Sequence, residues 1–115
     1  MTNEVIDKAI YNELKEAAGA EFVVELVAAF MEEAPGMFAE LRTTLDEGDA
    51  DGFRRAAHSL KSNADVFGAH ALAAPARALE LMEVSGATSE VQQLMVQLEA
   101  EFARAAAALE SAQDE

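Results

Sequence analysis

One histidine with basic and small neighbours at helical spacing is the feature of this sequence that could do chemistry. His58 lies in the segment 56–68, which reads AAHSLKSNADVFG. On a helix that turns about 100° per residue, the apolar residues around it would fall on the opposite side. These residues are Phe53, Ala56, Ala57, Leu60, Ala64 and Phe67. The polar residues within about 60° of the histidine are Arg54, Arg55, Lys61, Ser62 and Asp65. The imidazole is therefore predicted to point away from the core.

An exposed imidazole in this setting could accept a phosphoryl group. A neutral imidazole nitrogen is a competent nucleophile toward phosphorus. The phosphorylated ring would carry a dianionic group, which the cations of Lys61 and Arg54, one turn on either side of His58, would stabilise. Ser62 is small and would let another protein approach closely. The alternative from geometry alone is a solvated helix face on which the histidine does nothing.

Five helical segments are expected to position this histidine. Apolar residues recur at intervals of three and four, and no run alternates as a strand does. We expect an all-α protein of antiparallel helices joined by short loops. The segments span about 3–18, 20–47, 49–67 and 69–84, with the last from Ser89 onward; the expected stops are Gly19, Gly48, Gly68 and Ser85-Gly86.

Caps and prolines sharpen the expected boundaries. Asp49 or Asp51 is expected to cap the third helix, and Ser89 with Gln92 forms a capping-box pattern at the fifth. Pro35 should kink the second helix or split it in two. Pro75 fits the fourth helix only if the regular helix begins close to it.

Length, charge and composition restrict the classes of function. The chain of 115 residues is expected to form a single domain, 1–115. It has 22 acidic and 8 basic residues, a net charge of −14, which disfavours binding to nucleic acid or to anionic membranes. Without cysteine there is no disulfide, thiol catalysis or cysteine-ligated zinc. The N-terminal residues do not resemble a secretory signal, so we expect a cytoplasmic location.

The histidine segment resembles the motif of the histidine-phosphotransfer (HPt) family. The matching residues are Ala57, His58, Leu60, Lys61, Ser62, Gly68 and Ala69. The acidic turn 47–53 resembles the loop before the active-site helix of that family, and Leu72, Ala76, Leu79 and Glu80 resemble the helix that follows. The resemblance implies an antiparallel four-helix bundle with an additional short N-terminal helix. Ser62 stands where glycine is commonest in the family.

The resemblance also implies a function and a site. His58 would be the phosphoacceptor, through Nε2, and Lys61 would position and neutralise the phosphoryl group. The protein would shuttle that group between receiver domains of a hybrid histidine kinase and a response regulator. It would need no cofactor of its own, since Mg²⁺ belongs to the receiver. No nucleotide-binding loop is present, so ATP-dependent kinase activity is not expected.

The expected docking surface consists of Arg54, Arg55 and Ser62, with Ile6 and Ile10 as apolar candidates that core packing explains equally well. We expect a monomer, and the first and last residues favour a free-standing protein. His70 is expected to be a surface residue and not a metal ligand.

The competing interpretation is a helical adaptor that binds a signalling partner without being phosphorylated. A metal-dependent hydrolase is set aside, because no carboxylate lies three residues before either histidine.

Overall fold

A computed structural model describes residues 5–82 and 88–113 of the chain, and within these ranges its regular structure is helical, as predicted. None of the helices in this described part combines the length and the apolar composition that a membrane span requires. The five helices are α1 (Lys8–Ala18), α2 (Ala20–Glu47), α3 (Ala50–Val66), α4 (His70–Leu81) and α5 (Ser89–Gln113).

Helix α1 begins later than the sequence pattern predicts. The carboxylate of Asp7 caps it by accepting hydrogen bonds from the backbone N–H groups of Ala9 (3.0 Å) and Ile10 (3.4 Å). Asp7 itself is extended, and its own N–H donates to the carbonyl of Gly68 over 2.8 Å. The predicted start near Asn3 was therefore wrong, because residue 7 is bonded to the loop after α3 and not to a preceding helical turn.

Helix α2 runs through Pro35 without interruption, so the predicted split is wrong. A proline lacks the N–H that would bond to the carbonyl four residues earlier, here that of Met31. Pro35 lies on the exposed side of the helix, where water can satisfy that carbonyl. In α4, Pro75 is buried five residues after the helix begins at His70, so the helix starts earlier than this proline suggested.

Of the remaining helix boundaries, the cap of α3 agrees with the prediction, whereas the cap of α5 and the end of α4 differ from it. Asp49, the first of the two candidates, caps α3 by accepting from the N–H of Gly52 over 2.9 Å. Helix α5 is capped by the hydroxyl of Thr88, which accepts from the N–H of Val91 over 3.2 Å, and not by Ser89. Helix α4 ends at Leu81, three residues before the predicted end at Val84. That residue and the expected stop at Ser85-Gly86 lie outside the described residues.

The helices pack in a cycle around one core. Helix α2 contacts α3, α3 contacts α4, α4 contacts α5, and α5 contacts α2, while α1 lies against α2 and α3. A chain of aromatic rings crosses the core. Phe30 of α2 stacks on Phe67 at the end of α3 with a centroid distance of 5.7 Å, and Phe102 of α5 meets Phe30 edge-on at 5.6 Å. These contacts hold the C-terminal end of α3 against α2, and α2 against α5.

Two glycines should respond to alanine substitution with opposite signs. A Cβ atom at Gly52 would lie 2.5 Å from Oδ2 of Asp49 and 2.8 Å from Cγ2 of Thr44, whereas one at Gly36 would meet nothing within 4 Å. We expect Gly52→Ala to lower the free energy of unfolding by about 1–3 kcal/mol through steric strain. Gly36→Ala should raise it by about 0.5–1 kcal/mol, because alanine favours the helix interior.

Equilibrium unfolding in urea measures both changes. An equal response of the two variants would contradict the packing described for the start of α3.

Candidate functional site

The rotation of α3 about its own axis presents His58 to solvent. The apolar residues predicted for its inner side are all buried: Phe53, Ala56, Ala57, Leu60, Ala64 and Phe67. The side chain of His58 is 56% exposed, so the predicted outward orientation is confirmed. Arg54, Arg55 and Asp65 are exposed beside it, and Lys61 and Ser62 are half-buried.

Glu80 of α4 connects the imidazole to Lys61. Its Oε2 lies 2.7 Å from Nδ1 of His58, and its Oε1 lies 3.1 Å from Nζ of Lys61. The Glu80 side chain is only 17% exposed, because α4 packs closely against α3 and the side chain lies between the two helices. One half-buried carboxylate therefore holds both the histidine and the lysine that the sequence motif singled out.

The surroundings of Glu80 favour its ionised form. Burial raises the pKa of this carboxyl, but the contacts with Lys61 and then His58 lower it further than burial raises it. The resulting pKa lies below the ordinary glutamate value of 4.5. At neutral pH the group is a carboxylate, which can accept hydrogen bonds and cannot donate one.

This contact selects one tautomer of the ring. Because Glu80 can only accept, Nδ1 of His58 must carry the hydrogen, and in the neutral ring Nε2 then holds the lone pair. The Ser62 hydroxyl lies 3.4 Å from Nε2, which is too long for a strong hydrogen bond. The nitrogen that keeps a reactive lone pair is thus the one that faces a small side chain and open solvent.

Basic side chains surround the histidine unevenly. Arg54 pairs with Asp51 one turn earlier, at 3.1 Å. Lys61 pairs with Glu80 and not with Asp65, the other partner that helix spacing allows. Arg55 lies with His58 and Glu80 along a shallow recess and forms no ion pair with any residue in the described ranges.

The two apolar docking candidates of α1 differ in burial. Ile6 is only 6% exposed and belongs to the core, so core packing accounts for it. Ile10 is half-buried and lies against the turn at Gly68. A Cβ atom added to Gly68 would lie 3.1 Å from the Cβ of Ile10. Of the two, only Ile10 keeps surface that a partner could contact.

His70 lies away from His58, at the exposed start of α4. Its Nε2 is 3.2 Å from Oδ2 of Asp7, the residue that caps α1. The hydrogen bond from His70, followed by that from the backbone of Ile10, lowers the pKa of Asp7. Across residues 5–82 and 88–113, no three His, Cys, Asp or Glu side chains are grouped to hold a metal ion. His70 therefore helps to attach α1 to the α3–α4 turn.

Glu80 is the site residue to which the sequence assigned no role. It is separated from His58 by 22 positions and lies on another helix. Its sequence signals are its place in the segment that resembles the family's following helix and its position directly after buried Leu79, at the edge of the inner face of α4. That position makes partial burial foreseeable, but which atoms it would meet depends on how α3 and α4 pack.

The lowered pKa of Glu80 predicts a pH-dependent contribution to stability. A carboxyl whose pKa is lower in the folded state stabilises the fold above its unfolded pKa, and this stabilisation is lost as pH falls through the folded value. Glu80→Gln removes the contribution. Between about pH 5 and about pH 3, the wild-type protein should therefore lose more unfolding free energy than Glu80→Gln does, as measured by urea unfolding.

Glu110→Gln removes one carboxylate from an exposed position of α5 and serves as the matched control. The control should follow the wild-type pH dependence. Parallel curves for Glu80→Gln and the wild type would contradict the contacts assigned to Glu80.

Comparison with known proteins shows the family of the chain. No curated protein matches the chain. The crystal structure of histidine-containing phosphotransfer protein B (HptB) from Pseudomonas aeruginosa PAO1 is similar, with a TM-score of 0.85 and 26% sequence identity over 98% of this chain and 97% of that one. The model of the Hpt domain family matches residues 25–113, the part of the chain that contains His58, Lys61 and Glu80. The protein therefore belongs to the Hpt domain family.

Proposed function

We propose that this protein carries a phosphoryl group on His58 between receiver domains in a two-component phosphorelay. The observation that carries the proposal is the exposed imidazole whose Nδ1 is held by Glu80, which leaves Nε2 as the nucleophile. Membership of the Hpt family and the likeness to histidine-containing phosphotransfer protein B support the same role.

The transfer step exchanges one bond to phosphorus for another. The Nε2 lone pair attacks the phosphorus of an aspartyl phosphate on the donor receiver, and an N–P bond forms as the bond to the aspartate oxygen breaks. The electron pair of the broken bond remains on the aspartate as a carboxylate. The ring gains positive charge and keeps its hydrogen on Nδ1, where the Glu80 carboxylate stabilises it. The reverse step passes the group to an aspartate of the acceptor receiver.

Lys61 is the cation best placed to meet the incoming group. The ion pair holds its Nζ on the same Glu80 carboxylate that contacts the imidazole, before any phosphoryl group is present. A phosphoryl group on Nε2 carries more negative charge than the carboxylate and would attract the ammonium group toward it. Lys61 thus positions and neutralises the phosphoryl group, while Mg²⁺ and the acidic pocket that the transfer also needs are supplied by the receiver.

The docking surface of this proposal comprises Arg54, Arg55 and Ser62 around the histidine, with Ile10, which lies against the turn at Gly68, as a further candidate. Its partners are receiver domains of a hybrid histidine kinase and of a response regulator. We further propose that residues 1–115 form a single cytoplasmic domain that acts as a monomer without kinase activity of its own. Its architecture is an antiparallel four-helix bundle of α2–α5 with α1 added, which the cyclic helix contacts support.

Replacing each histidine in turn tests the phosphoacceptor. The purified protein is mixed with a phosphorylated receiver and Mg²⁺, and its intact mass and the acid lability of any added group are recorded. The wild type should gain one acid-labile phosphoryl group. His58→Gln should gain none, because glutamine offers no nucleophilic ring nitrogen. His70→Gln should behave as the wild type.

Acceptance by His58→Gln would contradict the assignment of the phosphoacceptor. If no receiver in a panel transfers to the folded wild-type protein, the result favours the alternative of a helical adaptor that binds without being phosphorylated.

The role of Glu80 predicts a change in tautomer and in rate. Glu80→Gln presents an amide that can donate as well as accept, so the ring is no longer restricted to the form with hydrogen on Nδ1. We expect the ¹⁵N spectrum of His58 to change from one dominant tautomer to a mixture. The transfer rate at saturating receiver should fall roughly 10- to 100-fold. An unchanged spectrum and rate would show that Glu80 has no influence on the reaction.

A further inference from the structure

The structure divides the five arginines of the chain into two groups. Three form ion pairs with carboxylates: Arg42 with Glu99, Arg54 with Asp51, and Arg104 with Glu101. Arg55 and Arg77 form none with any residue that the structure describes. Acidic residues outnumber basic ones by 22 to 8, so an arginine without a carboxylate partner is a departure from the rest of the surface.

The two unpaired arginines flank the Glu80 bridge. Arg55 lines the recess that contains His58 and Glu80. Arg77 lies one turn before Glu80 on α4 and lines a groove between α3 and α4 together with Lys61. Glu80 lines the recess of His58 and pairs with Lys61, which lines the groove, so this carboxylate connects the two recesses. The phosphoacceptor therefore lies between two guanidinium groups that remain available to a partner.

The α3–α4 groove has the other features of a contact surface. Ala74 and Ala78 line it with small side chains, which would allow another protein to approach closely. Leu81, at the end of α4, also lines it and is 72% exposed. Arginine is enriched among the residues that contribute most to protein interfaces. The exposed Leu81 side chain offers apolar surface that a partner could remove from water. Asp65 contributes a negative charge on the α3 side of the groove. Lys61 is paired with Glu80, so Arg77 is the groove cation that remains open to an acidic partner.

We propose that this groove extends the receiver docking surface onto α4, with Arg55 and Arg77 holding the acidic rim of the receiver on either side of His58. The inference rests on the proposed function. A receiver must bring an aspartate and a Mg²⁺-binding acidic pocket to within bonding distance of Nε2. The net charge of −14 would repel such a pocket elsewhere on the chain. Leu81 provides an apolar contact at the edge of the same surface.

The test measures transfer from a phosphorylated receiver that the wild type accepts, over a range of receiver concentrations. Arg77→Glu should lower the second-order rate constant roughly tenfold at low ionic strength, because charge complementarity acts on association. The rate at saturating receiver should stay within about twofold of the wild type, since Arg77 touches none of the reacting atoms. At about 1 M salt, where the screening length is about 3 Å, the difference should largely disappear.

Matched controls separate docking from general charge. Arg104→Glu makes the same change in net charge at an exposed arginine of α5 outside the groove. Val96→Ser is the control for Leu81→Ser, since Val96 is also well exposed, at 68%, and lies on α5. Leu81→Ser should weaken receiver binding roughly threefold to tenfold, because less apolar surface is buried against the receiver, and Val96→Ser should not. Arg77→Gln, which removes the charge without reversing it, should give an intermediate effect.

Equal effects of Arg77→Glu and Arg104→Glu would overturn the assignment of the groove as a docking surface, and would leave the proposed phosphocarrier function intact. So would a loss confined to the saturating rate, because it would place Arg77 in the chemical step and not in docking. Failure of the wild-type protein to accept phosphate from any receiver would overturn the proposed function and this inference together. Circular dichroism of each variant establishes that the helices are retained.

Discussion

The orientation of α3 about its axis is the constraint on which the site depends. Leu60, Ala57 and Ala64 are completely buried, and His58 lies on the opposite side of the same helix. Rotating the helix by one residue would expose Leu60 and bury a charged or polar neighbour. Exposing a buried leucine costs about 2 kcal/mol, and burying an unpaired charge costs several times more. Core packing therefore decides that the imidazole faces outward.

The contact between α3 and α4 then turns an exposed histidine into a defined chemical group. Small side chains along both helices, among them Ala57, Ala64 and Ala76, are fully buried and allow close approach. That proximity places the Glu80 carboxylate against Nδ1 of His58 and Nζ of Lys61. Burial alone would favour a neutral carboxyl, and the two basic partners reverse that preference. The same Glu80 carboxylate thus forms the ion pair with Lys61 and leaves Nε2 of His58 available.

The charge distribution gives the same region its distinct character. Across a strongly acidic surface, most arginines are neutralised by a neighbouring carboxylate, and this leaves little positive potential away from the site. Near His58 the ion pairs are incomplete, and Arg55 retains an open guanidinium group. Under the proposed function, a negatively charged phosphoryl group and the acidic pocket that delivers it would therefore be attracted to the same place. The electrostatics and the helix packing select one face of the protein.

Much of this protein was determined by its sequence alone. The interval of three and four between apolar residues is a local property, so it predicted the helical class, the buried face of α3 and the outward histidine. The glycine and aspartate signals located both ends of α2 and the cap of α3. Local signals failed where long-range contacts decided the outcome. Asp7 is held by Gly68, which delays the start of α1, and Pro35 is tolerated because its side of α2 faces solvent.

The contacts of Glu80 could not be predicted from sequence periodicity, because they too are long-range contacts between helices. A helical repeat states which way a side chain points from its own axis, and it carries no information about the neighbouring helix. Only the packing of α3 against α4 decided that a glutamate 22 positions away would hold His58 and Lys61 together. The sequence thus determined which histidine could react, and the tertiary structure decided which of its two nitrogens is free to do so.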